Sequence, residues 1–161
     1  QGIVFMLAGA PITCLSQRQH ITAPDSHTSE ITAAGAAVYS AVMLRAGCQE
    51  MHILQEFPTP IYCDSASTLF VANDSGSIKK SAWSRRRAIV LRKSVMMGEI
   101  AFIKIGERDN VADGLTKPIV HDVFARHLEH THQWGDATGL GDAQERHQVA
   151  VALEISGTRG A

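Results

Sequence analysis

Strand-like and helix-like stretches alternate along this chain, which predicts an α/β domain with helices packed on a mixed sheet. Three observations carry that expectation. Short apolar runs, most of them rich in β-branched residues, occur at 3–7 (IVFML), 10–15 (APITCL), 61–63 (IYC) and 100–105 (IAFIKI). Helix-compatible stretches at 29–45, 65–72 and 81–97 stand between or beside them. The order is strand, strand, helix, strand, helix, helix, strand, helix, with no internal repeat.

Each element has a local reason. Ala8-Gly9 separates the first two runs, so they read as a hairpin of two buried strands. The polar stretch 16–24 leads out of it. In 29–45 (SEITAAGAAVYSAVMLR), Ile31, Ala34, Val38 and Val42 share a helical face, Ala33, Ala34, Ala37 and Ala41 leave a small stripe, and Gly47 offers a stop. Such a stripe lets a helix lie close against a sheet. Phe57-Pro58-Thr59-Pro60 punctuates the chain before the strand 61–63, which Asp64 closes. A short helix over 65–72, a loop over 73–77 and a long helix over 81–97 closed by Gly98 follow. In 100–105 Ala101 and Ile103 alternate with Ile100, Phe102 and Lys104, as in a strand. Residues 106–110 turn, and 111–132 is expected to be mostly helical, with Pro118 at a first-turn position or a bend. Beyond Trp134 the composition drifts to Gly, Ala, Asp and Gln, with one candidate helix over 143–155. The expected organisation is a domain over 1–135 and a weakly ordered tail over 136–161.

The 161 residues suit one domain, and 45% hydrophobic with 19% charged residues supply a core. A net charge of −1 excludes a uniformly basic nucleic-acid coat but leaves local patches open. Cys14, Cys48 and Cys63 are odd in number and form no CxxC, so a disulfide framework or zinc knuckle is not readable, and an intracellular, reducing setting is expected. No run approaches the ~20 apolar residues of a membrane span, and the run 2–10 has no Lys or Arg before it, which favours a strand over a signal peptide. The start inside that run reads as a cut from a longer frame.

Three acids occupy informative places. Glu30 opens the small-striped helix, Asp64 follows the strand 61–63, and Asp113 starts the last helical stretch in 110–118 (NVADGLTKP). Groups beyond strand ends and at helix starts converge at one edge of an α/β sheet, where ligands gather. Each acid also has a plain structural reading: dipole-favoured first-turn acids for Glu30 and Asp113, a turn or N-cap for Asp64. Between Gly76 and Gly98 there is no acid, and Lys79, Lys80, Arg85, Arg86, Arg87, Arg92 and Lys93 supply 7 of the 15 Lys and Arg, with Trp83 among them. This segment reads either as an electrostatic footprint for phosphates, with Trp83 able to stack, or as a solvated helix face. His121, His127, His130 and His132 fit no common zinc spacing and read as exposed helix-end residues; Met96 and Met97 read as core filler.

Taken with their flanks, these residues resemble the ribonuclease H domain that ends copia-type retrotransposon polyproteins. The resemblance is carried by 58–74 (PTPIYCDSASTLFVAND), 25–33 (DSHTSEITA), 110–118 (NVADGLTKP), 2–19 (GIVFMLAGAPITCLSQRQ) and Gly98-Glu99-Ile100, in the family's order over about 2–135. It implies a ribonuclease H-like fold, hydrolysis of the RNA strand of RNA–DNA hybrids, and two Mg²⁺ or Mn²⁺ ions. Glu30, Asp64 and Asp113 carry over as metal-binding acids: Asp64 touching both ions, Glu30 holding one and orienting the water, Asp113 on the leaving-group side. Two ions ~3.5–4 Å apart activate the water and stabilise the leaving oxygen, and hard cations favour carboxylates. The basic residues Lys79 to Lys93 would hold the hybrid, recognised through its 2′-hydroxyls. Reverse transcriptase and integrase modules would be polyprotein neighbours, within a particle in the cytoplasm or nucleus.

The chain departs from the family pattern in four places. The family's first strand, central in its sheet and bearing an aspartate, precedes the hairpin and has no counterpart ahead of Gly2, so the chain alone is expected to be inactive. Ser65 stands for Asn, Thr28 for Glu, and 83–89 (WSRRRAI) lacks the His and Asp of the corresponding motif. Two alternatives follow: a non-catalytic nucleic-acid-binding remnant, and an unrelated α/β domain whose acids are structural. Integrase and transposase relatives usually end their acid set with a helical Glu, so Asp113 favours ribonuclease H.

Overall fold

Residues 2–7 are apolar at nearly every position, and a strand of that kind must be covered on both faces. In the computed structural model, which describes residues 1–7, 10–17, 26–73, 82–132 and 149–154, this stretch is β1 (Gly2–Leu7). Ile3 and Phe5 face the main core, whereas Val4 packs on Ala112 on the opposite face. β2 (Ala10–Ser16) pairs antiparallel with β1. It is mostly exposed, unlike the buried strand expected, because it is an edge strand with β1 as its sole neighbour.

α1 (Ser26–Glu50) carries the small-residue stripe as expected: Ile31, Ala33, Ala34, Ala37, Val38 and Ala41 are all buried. Part of α1, Thr28–Glu50, is long and apolar enough to cross a membrane, contrary to the expectation that no stretch would be. Much of that apolarity is the alanine stripe, which here serves the protein's own core. Gly47 does not stop the helix. α1 runs on to Glu50, and His52 at φ 60° closes it while the Ile53 N–H donates to Cys48 O at 2.8 Å. The Arg45 guanidinium then straps the following loop to α1, donating to Gln55 O (3.0 Å), Phe57 O (2.8 Å) and Thr59 Oγ1 (2.9 Å). Burial lowers its pKa, opposed by the Glu99 carboxylate and Cys48.

β3 (Thr59–Cys63) leads through α2 (Ala66–Asn73) and α3 (Ala82–Met96) to β4 (Ile100–Lys104), which lies parallel beside β3 with Ile61 abreast of Phe102. Gly98, at φ 70°, turns the chain out of α3, a conformation glycine adopts without penalty. Leu91 and Ala88 bury the inner face of α3. Met96 and Met97 do not fill the core: they are 82% and 63% exposed, because they fall where α3 ends and the chain turns to solvent.

The stretch expected to be one helix over 111–132 is divided. Glu107–Asp109 and Val111–Leu115 are short 3-10 turns, and α4 (His121–His132) starts after Pro118. Pro disfavours helical backbone in the residue before it, which accounts for the break. His127 is not an exposed helix-end residue: it is 5% exposed, with Nε2 3.0 Å from Arg108 O. His121 is exposed, as expected.

The largest departure lies near the C-terminus. Of the 143–155 candidate helix, Val149–Glu154 forms a strand, β5, and the sheet order is β2-β1-β5-β3-β4. β5 is antiparallel to β1 along its whole length and parallel to β3 at Ile61 to Cys63. Part of the expected tail therefore lies in the middle of the sheet, between the hairpin and the parallel pair. Its sequence, VAVALE, alternates valine and leucine with alanine, and Val151 is fully buried. A β-branched run wins as a strand once two strand edges are there to pair with it. The centre of the sheet, expected to lack its strand, is filled.

Candidate functional site

The carboxyl end of β3 is where the acids meet. Asp64 follows directly on Cys63, and Ser65 then caps α2: its Oγ accepts from the Thr68 N–H at 3.2 Å. The Ser65 N–H also donates to Cys63 Sγ at 3.4 Å, tightening the corner that projects Asp64. From α1, Glu30 reaches the same corner. Its Oε2 accepts from Ser65 Oγ at 2.8 Å and from Ser67 Oγ.

Asp113 arrives from the 3-10 turn Val111–Leu115, capped by Asn110, whose buried Oδ1 accepts from the Ala112 N–H at 3.3 Å. The turn covers β1 because Val4 and Ala112 bury each other. Gly2 lets it approach closely: a Cβ there would lie 2.8 Å from Ala112 O. Asp113 is 3% exposed, and its Oδ2 is 2.8 Å from Lys117 Nζ. Its Oδ1 is buried with no hydrogen-bond partner. A buried carboxylate oxygen left bare is costly, and such an atom calls for a cation, a proton or a water.

Electrostatics ties the two aspartates together. The Asp64 carboxyl is held above the usual aspartate range, first by burial and next by the negative charge of Asp113; its own backbone N–H, Lys117 and Lys104 oppose the shift. Lys104, at the end of β4, donates to the Asp64 carbonyl. Lys117 also lies 3.4 Å from Glu107 Oε1.

The sequence-predicted acids are thus at one corner, in two subsets. Asp64 and Asp113 sense each other; Glu30 is engaged by two serine hydroxyls. Among the described residues no three acids, histidines or cysteines are gathered closely enough to hold a metal ion. Two hard carboxylates, one with a bare oxygen, suit a divalent cation of the Mg²⁺ kind.

The predicted basic segment divides by role. Lys79 and Lys80 lie outside the described residues, and Trp83 is placed only as a backbone position in the first turn of α3. Arg92 serves the fold, its Nε donating to Val71 O at 2.9 Å, and Arg87 lies over α1, with Nη1 3.9 Å from where a Cβ on Gly35 would sit. Arg85, Arg86 and Lys93 are exposed on α3.

Sequence reasoning missed the cations and hydroxyls of the site. Lys117 was open to detection as the i+4 partner of Asp113. Ser67 and Lys104 give no such signal, since one depends on where α1 crosses α2 and the other on the register of β4 with β3. In comparisons with known proteins, no family model, curated protein or solved structure matches this chain.

Proposed function

We propose that this chain is a ribonuclease H-like domain of a copia-type retrotransposon polyprotein, hydrolysing the RNA strand of RNA–DNA hybrids with Mg²⁺ or Mn²⁺. The observation that carries the reading is the Asp64–Asp113 pair with its bare, buried Oδ1. A sheet whose central strand is antiparallel to the hairpin and parallel to β3 supports the ribonuclease H-like fold. Asp64 and Asp113 would hold the cation, and Glu30 would join them by exchanging its serine hydroxyls for it. A bound divalent ion supplies charge for a nucleophilic water and a leaving oxygen. The protein's part is to position: the Ser65 cap fixes the corner after β3, the Asn110 cap fixes Asp113, and Lys117 limits the repulsion between them.

The expectation of inactivity rested on the absent first aspartate as well as on the absent central strand; β5 fills the sheet centre, and cleavage by the full chain tests whether Asp64, Asp113 and Glu30 suffice. Its partner is the hybrid, gripped by Arg85, Arg86 and Lys93 on α3; reverse transcriptase and integrase modules would be its neighbours. The assay is cleavage of an end-labelled RNA–DNA hybrid. Mg²⁺-dependent cutting of the RNA strand, abolished by Asp113→Asn, is the expected result. Cutting that Asp113→Asn leaves intact overturns the site. Salt-sensitive hybrid binding with no cutting at any Mg²⁺ concentration returns the second reading, a non-catalytic binding remnant, which the exposed α3 cations favour.

A further inference from the structure

The two carboxylate oxygens of Asp113 have unlike settings. Oδ2 lies 2.8 Å from Lys117 Nζ, whereas Oδ1 is buried without a hydrogen-bond partner. One turn carries both residues: the Thr116 and Lys117 N–H groups donate to Asp113 O at 3.0 and 3.1 Å. A backbone bond between residues four apart sets their side chains on one face, as in a helical turn. Glu107 Oε1, at 3.4 Å, also holds the ammonium. The Lys117 side chain is 35% exposed, and an ion pair partly withdrawn from water is screened less than one in the open. Its charge reaches Asp64 as well, opposing the burial and the Asp113 repulsion that raise that carboxyl.

The corner therefore has charge for one divalent ion. Asp64 and Asp113 bring two negative charges and Lys117 returns one, while Glu30 is engaged by the Ser65 and Ser67 hydroxyls. One divalent ion takes these three groups from a net −1 to +1. A second would take them to +3, with Lys104, which donates to the Asp64 carbonyl, adding a further positive charge nearby. Affinity for hard cations follows the count of charged ligands, and like charges repel strongly in partly buried sites. Building on the metal-dependent reading above, we propose that Lys117 supplies, on Asp113 Oδ2, the positive charge that a second divalent ion would bring, so that Asp64 and the bare oxygen of Asp113 serve a single ion. The two ions implied by the resemblance become one ion and one ammonium. A fixed lysine stabilises developing negative charge as a Mg²⁺ does, and this one stands beside the acid that the resemblance puts on the leaving-group side.

The test counts Mn²⁺ on the full chain by calorimetry, with electron paramagnetic resonance distinguishing isolated from adjacent ions. The unaltered chain is expected to bind one isolated ion. Lys117→Ala and Lys117→Gln are each expected to raise the count to two, with the coupled spectrum of an adjacent pair, and Lys117→Arg to leave it at one. A lysine that merely braced the turn would alter the melting temperature and the Mn²⁺ affinity without altering the count. Two adjacent ions on the unaltered chain, or a single ion on a cooperatively melting Lys117→Ala or Lys117→Gln, overturns the role of Lys117 while leaving the metal reading intact. No Mn²⁺ binding by the unaltered chain overturns both.

Discussion

Ending the chain at residue 148 removes β5, and the structure says how much that costs. β5 is a six-residue strand paired on both sides, with β1 along its whole length and with β3 at Ile61 to Cys63. At ~1 kcal/mol net for each of roughly six ladder hydrogen bonds, plus ~2 kcal/mol for fully buried Val151, the loss is about 8 kcal/mol. Domains of this size are stable by only ~5–15 kcal/mol, so the shortened chain should lose its cooperative melt. It would also bare two inner strand edges and aggregate. Val151→Ala is the graded version: about 2 kcal/mol, or a melting temperature lower by roughly 4–8 °C. Circular dichroism melts and urea titrations read both. A chain ending at 148 that melts cooperatively at the unaltered temperature would refute the central placement of β5.

Three further outcomes follow from the site. Gly2→Ala drives a Cβ to 2.8 Å from Ala112 O and 3.0 Å from Leu115 Cβ, so it should cost ~1–3 kcal/mol and lower hybrid cleavage by moving Asp113; an unchanged melt contradicts this close approach. In metal-free buffer, the raised Asp64 pKa means the folded state holds its proton more tightly than the unfolded chain. The associated stability is full below the ordinary value of 3.8 and is lost as pH rises through the raised value. Asp64→Asn should therefore raise the melting temperature at neutral pH and flatten its fall above pH 4, and a lower neutral melting temperature counts against the pairing. Arg85→Ala with Arg86→Ala should weaken hybrid binding and reduce its salt slope by ~1–2 without changing the melt, whereas Arg92→Ala should lower the melt because its Nε holds Val71 O. Equal behaviour of the two variants would remove the distinction between outer and inner cations.

Most local elements could be read from the chain because their signals are local. The alanine stripe of α1 and the alternation in β4 depend on residues within a turn or two of one another, and each gives the expected burial. Helix ends were read less well. Gly47 is compatible with the helix interior at modest cost, and His52 closes α1 through backbone bonds that any residue tolerating positive φ can serve. The corner of the site was legible in part. Glu30, Asp64 and Asp113 stand out by their positions, yet their serine and lysine partners come from crossings between elements.

From the linear chain came the α/β class, the alternation of elements and three acids placed at strand ends and helix starts. All of these rest on short-range periodicity and turn chemistry, which are properties of neighbours in sequence. Assembly alone determined the identity of the central strand and the charge environment of the acids. VAVALE has no strong preference in isolation, and about 85 residues separate it from β3 in the chain. It becomes a strand because β1 and β3 present unpaired edges on either side of it. That pairing puts the end of β5 level with the end of β3, beside the turn that buries the bare oxygen of Asp113.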